Sequence, residues 1–162
     1  SLNRHDMFTD IQWAIERKYP TMKLACDWPK LMDGFIDRCE KPQLSLVKND
    51  AVTPFANAGE KIAARFAIRD TEIAAILGSQ IIIVAMPGGT GTFFEYGLSY
   101  AMSLSNKHAI VIVYAPDQMF VDEELGHFIG LAGTVVVVGP LGDLIQAVGE
   151  VRAALFARRL ST

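Results

Sequence analysis

The apolar positions of this chain follow two rhythms. Three runs, IIIVAM (81–86), AIVIVY (109–114) and TVVVVG (134–139), are apolar at almost every position. They predict strands covered on both faces, as in the interior of a parallel sheet. Around them apolar residues recur every three or four positions, the period of a helix with one buried face. That pattern predicts a first helix from Thr9 to Pro20, with Thr9 and Gln12 as a capping box. Further helices are expected over 29–39, up to about Leu77, and over 92–105, 118–131 and 141–159. Two weaker strands are expected at Lys23 to Cys26 and Leu44 to Val47. Asn49 to Gly59, with Asn, Asp, Thr-Pro and Gly, reads as a loop.

Strands alternating with helices predict an α/β fold: a doubly wound, mainly parallel, Rossmann-like sheet with right-handed crossovers. The 162 residues suit one domain, and no linker, repeat or low-complexity tract divides them. Residues 1–162 therefore read as a single Rossmann-like domain. In such sheets ligands sit beyond the carboxyl ends of the strands, which here are Cys26 to Trp28, Pro87 to Thr92, Tyr114 to Asp117, and Gly139-Pro140.

Composition removes several alternatives. The chain is 51% hydrophobic and 20% charged, which is globular rather than disordered. Its net charge of −3 weighs against nucleic acid as a partner, because the concentrated basic stretch, Arg152 to Arg159, sits where it meets a helix dipole. Cys26 and Cys39 are too far apart for a CxxC pair and make no disulfide framework, so they read as reduced thiols of a cytoplasmic protein. No apolar run approaches the ~20 residues of a membrane span. No signal peptide is evident, and Ser1-Leu2 without a methionine leaves the native start open. Glu123, Glu124 and His127 share a helical face without a second histidine to complete a zinc motif. They read as a solvated face, and neither metal nor cofactor is expected.

The stretch MPGGTGTFFEYG, Met86 to Gly97, holds four glycines, two threonines and one carboxylate. Gly88, Gly89 and Gly91 have no Cβ and let main-chain N–H groups come close to a bound group. A helix starting near Thr92 adds unpaired N–H groups and the positive end of its dipole, a combination suited to an anion such as phosphate. The loop fits neither a Walker motif nor a dinucleotide fingerprint. On spacing alone a second reading stands beside the first: Thr92 to Glu95 is a capping box, with Glu95 merely satisfying its own helix start.

The helix before the loop adds weight. Ile62, Phe66, Ile73 and Leu77 make an apolar stripe read as facing inward, and Arg69 and Asp70 fall at or beside it. Buried charges need partners or a wet cleft. The other reading is a surface Arg-Asp pair on a helix rotated by a small angle. Trp28, just past a possible strand end, reads as a core plug or as a platform for a base.

PGGTGTFFE resembles the PGGxGTxxE motif of the cytokinin-activating phosphoribohydrolases, the LOG family, whose members are often labelled lysine decarboxylases. FFEYGLSYAMS is similar to the nucleoside 2-deoxyribosyltransferases, in which a Glu-x-Gly segment on a helix supplies the nucleophilic carboxylate. The match covers Arg69 to Lys107; elsewhere it is one of topology. The resemblance implies that Glu95 attacks or stabilises the anomeric carbon of a ribose while Gly88, Gly89, Thr90, Gly91 and Thr92 hold a 5′-phosphate. It implies that Asp70 assists Glu95, and makes Arg69 the nearest counterpart of the phosphoribohydrolase arginine.

The expected activity is hydrolysis or transfer at the N-glycosidic bond of a nucleoside 5′-monophosphate. Loss of a base develops positive charge at the sugar, which a carboxylate stabilises or captures. The alternative is a non-catalytic nucleotide or cofactor carrier, motivated by a chain that opens with a helix where both families open with a strand and loop. The helix over 92–105 is apolar on more than one side, so it is covered either by the sheet and another helix or by a second subunit, and the resemblance implies an oligomer, expected as a homodimer.

Overall fold

The computed structural model describes residues 2–39, 54–86, 90–117 and 134–161. Its framework is a parallel sheet of β1 (Ile81–Ala85), β2 (Ile110–Ala115) and β3 (Thr134–Val138) in the order β1-β2-β3. Ile81 is in register with Ile110 and Val111 with Thr134. The ladder continues past the strands, where Met86 N donates to Tyr114 O and Gly139 N to Ala115 O, at 2.7 and 3.0 Å. The three predicted strands are therefore present within a residue at each end.

Helices cover both faces, and the two-residue period of the strands divides the core between them. Ile110, Ile112, Tyr114, Ala85 and Val137 point to one side, where they pack on α1 (Leu2–Lys18) and α5 (Leu141–Leu160) through Ile11, Leu144, Val148 and Val151. Ile82, Val84, Met86, Val111 and Val113 point to the other, towards α3 (Ala58–Gly78) and α4 (Thr90–Ser105), with Ile76, Phe93, Tyr96 and Met102 above them. The remaining described helix, α2 (Trp28–Cys39), touches both α1 and α3 and so links the two helical layers. The fold is thus α/β with a parallel sheet.

Several expectations need correction. The first helix begins at Leu2, so Thr9 lies inside it rather than at its cap. Lys23 to Cys26 is not a strand: Leu24 and Ala25 are exposed and a turn closes before them through Met22 N to Tyr19 O. A run this short needs a neighbouring strand to complete its hydrogen bonds, and none of the described strands pairs with it. Leu44 to Val47, the helix over 118–131, and Glu123, Glu124 and His127 lie outside the described residues.

The loop before α3 ends as its composition indicates. Asn57 Oδ1 accepts from Glu60 N at 2.9 Å, and Glu60 reaches back to Ala56 N, the reciprocal arrangement that satisfies free donors at a helix start. Glu60 also pairs with Arg38 of α2, fixing α2 against the head of α3. Most of the expected inward stripe of α3, however, faces solvent: Ile62, Phe66 and Leu77 are 52%, 66% and 53% exposed, while Ile73 is half-buried. The side turned towards α4 carries Arg69 and Glu72 instead.

Candidate active site

Two helices flanking β1 bring the charged groups together. After α3 the chain turns within Ser79-Gln80 and enters β1, so α3 runs back alongside that strand. Arg69 lies nine residues before Gly78, about 14 Å along the helix axis at 1.5 Å per residue. A five-residue strand spans about 16 Å. Arg69 therefore stands level with the carboxyl end of β1, and α4 starts just beyond that end.

Arg69 Nη1 donates to Glu95 Oε1 at 3.0 Å and lies 3.3 Å from Glu72 Oε2. One guanidinium nitrogen thus bridges a carboxylate on each helix. The other oxygen of Glu72, Oε1, accepts from Trp28 Nε1 at 2.8 Å. The indole itself packs on Phe8 of α1, ring centroids 4.8 Å apart. Trp28 is both a packing residue and the donor that holds Glu72.

Glycine at position 91 leaves room for this cluster. Gly91 lies in the first turn of α4 with no positive φ, so backbone freedom is not what it supplies. A Cβ there would stand 3.3 Å from Arg69 Nη2; its absence lets the guanidinium lie over the helix start. The same guanidinium sits 5.3 Å from the ring centroid of Phe94, within cation–π range.

Glu95 is not a capping residue. Because α4 begins at Thr90, Thr92 is already inside the helix and Glu95 is beyond its first turn, where its side chain turns to Arg69. Burial disfavours the charged form of Glu95, the charge of Glu72 disfavours it further, and Arg69 opposes both; the balance holds its pKa at about 7 instead of 4.5. Glu72 is only 8% exposed, and two N–H donors compensate that burial. Burial, followed by the charges of Glu72, Asp27 and Glu95, also pushes the Cys26 thiol up.

Of the residues picked out by sequence, Arg69, Glu95 and Gly91 meet. Asp70 does not join them: it is exposed, beside a shallow hollow shared with Ala25, Thr71 and Ala74. The carboxylate next to Glu95 is Glu72, two positions further along and on the side of Arg69, one turn later. The i,i+3 spacing of Arg69 and Glu72 is the sequence signal that could have found it. Thr92 is half-buried in α4, while Gly88, Gly89 and the side chain of Thr90 lie outside the described residues. Among the described residues no group of three or more His, Cys, Asp or Glu is placed to hold a metal ion, and no helix is long and apolar enough to cross a membrane.

No protein-family model, curated protein or solved structure matches the chain.

Proposed function

We propose that the protein is a cytoplasmic enzyme that breaks, or transfers at, the N-glycosidic bond of a nucleoside 5′-monophosphate on a Rossmann-like, doubly wound domain. The observation that carries this reading is Glu95: a half-buried acid at the carboxyl end of a parallel strand, gripped by Arg69 and holding its proton to about neutral pH. Acids poised near the working pH serve proton transfer and charge stabilisation at functional sites. The phosphate would be held by residues 88–92 and the helix start behind them, and the sugar's C1′ would face Glu95. The likeness of PGGTGTFFE to the phosphoribohydrolase motif supports the same assignment.

A homodimer goes with this reading. Phe94 and Leu104, 52% and 65% exposed, stand on the outward side of α4 with Gly97 and Ala101, and the helix carries no charged residue besides Glu95. A second copy would cover that side without burying an unpaired charge.

The test is incubation with a panel of nucleoside 5′-monophosphates and chromatography for free base. Glu95→Ala and Arg69→Ala should each lower kcat/KM by about 10²–10³-fold, the usual cost of losing an acid or an electrostatic stabiliser. Binding without release of base would make the protein a carrier, and Glu95→Ala turning over as fast as the wild type would remove Glu95 from the chemistry.

A further inference from the structure

Glu72 was not among the residues that the sequence marks, yet it is the most deeply buried acid of the cluster. Both its oxygens face N–H donors, Oε1 the indole of Trp28 at 2.8 Å and Oε2 the guanidinium of Arg69 at 3.3 Å. Both oxygens of Glu72 therefore act as acceptors, the role an ionised carboxylate fills. Glu95 differs: among the described residues its donor is Arg69, through Oε1. Its side chain is 29% exposed against 9% for Glu72, and the two acids are within hydrogen-bonding reach of each other.

Building on the cleavage reading, we propose that Trp28 and Arg69 keep Glu72 as the ionised member of the pair, so that the proton shared between the acids resides on Glu95 and passes to the leaving base. Glu95 is then the catalytic acid, and Glu72 and Trp28 are positioning residues. The C1′–N bond breaks with its electron pair going to the base nitrogen, which takes the proton of Glu95. The Glu95 carboxylate so formed lies opposite the cationic sugar with Arg69 already beside it. Water then adds its oxygen to C1′ and returns a proton to Glu95, giving base, sugar phosphate and the starting enzyme.

Among the described residues the groups facing Glu95 are few. Glu72 and Arg69 come from α3 and Cys26 from the segment leading into α2, and α4 adds no other charged side chain. Desolvation and the Glu72 charge raise the proton affinity of Glu95, as the assignment requires.

The experiment follows the carboxyl carbons by NMR in protein labelled at glutamate, in the wild type, Glu72→Gln and Trp28→Phe, alongside pH profiles of kcat/KM for nucleotide cleavage. In the wild type Glu95 should titrate near neutral pH, and cleavage should fall above that point as the acid is lost. Glu72→Gln should move both the Glu95 midpoint and the descending limb at least one pH unit to the acid side, about tenfold less activity on the alkaline side. Trp28→Phe keeps the ring on Phe8 but removes the donor, and should move the Glu95 midpoint and the descending limb to the acid side. A Glu95 midpoint and limb unmoved in Glu72→Gln, or a wild-type proton found on Glu72, overturns the inference while leaving cleavage intact. If the midpoints move as expected and no nucleotide is cleaved, the proton assignment is supported and the cleavage reading falls.

Discussion

At Gly149 a single methyl group has nowhere to go. Tyr19 Oη donates to Ile145 O at 2.9 Å, and a Cβ at Gly149 would collide with that hydroxyl. Gly149→Ala should destabilise the fold by about 1–3 kcal/mol, the range of an overpacked contact, read from urea denaturation. In a Tyr19→Phe background the penalty should shrink, because the two sites share one contact. Glu95 gives a prediction with a sign in pH. The folded protein holds its proton to about pH 7, the unfolded chain only to about 4.5. Its contribution to stability is therefore complete below pH 4.5 and lost as the pH rises to 7. Glu95→Gln, which cannot ionise, should be more stable than the wild type above pH 7 by about 1–2 kcal/mol, after allowance for partial exposure. It should differ little near pH 4, and an equal difference at both pH values would contradict the shift. The sequence made Glu95 and Arg69 visible, because the glycine loop marks one and an interrupted stripe the other. Glu72 stayed hidden because pairing it with Arg69 depends on which way α3 is rotated.

At the scale of elements, the central strands were readable because a strand buried on both faces leaves an unbroken apolar run. The amino-terminal third was less so. Lys23 to Cys26 has a strand's residues but pairs with none of the described strands, a long-range condition that local sequence does not record. For α3 the apolar stripe misled: Arg69, Glu72, Glu95 and Trp28 satisfy one another, so the charged side turns inward and Phe66 outward. Phe66→Lys should accordingly change stability by no more than about 0.5 kcal/mol. Ile112→Ala, in a strand residue with no exposure, should cost about 2–5 kcal/mol. Paired denaturation curves check this contrast, and comparable losses at the two sites would mean α3 is turned the other way.

At the scale of the molecule, the sheet separates two unlike layers, with α1 and α5 on one face and the charge cluster between α3 and α4 on the other. If a second copy covers the outer side of α4, light scattering should give twice the chain mass for the wild type and the mass of one chain for Leu104→Glu. Leu104 makes no contact with Arg69 or Glu95 in the cluster described above, so the cleavage chemistry can be followed separately. The bridge from Arg69 to Glu95 also works as a vernier. A slide of one helix past the other by a single turn, about 5.4 Å, would pull the guanidinium off its acid. Any ligand that draws Arg69 away therefore removes one of the contacts that set their relative position, leaving the apolar packing on the sheet to hold them.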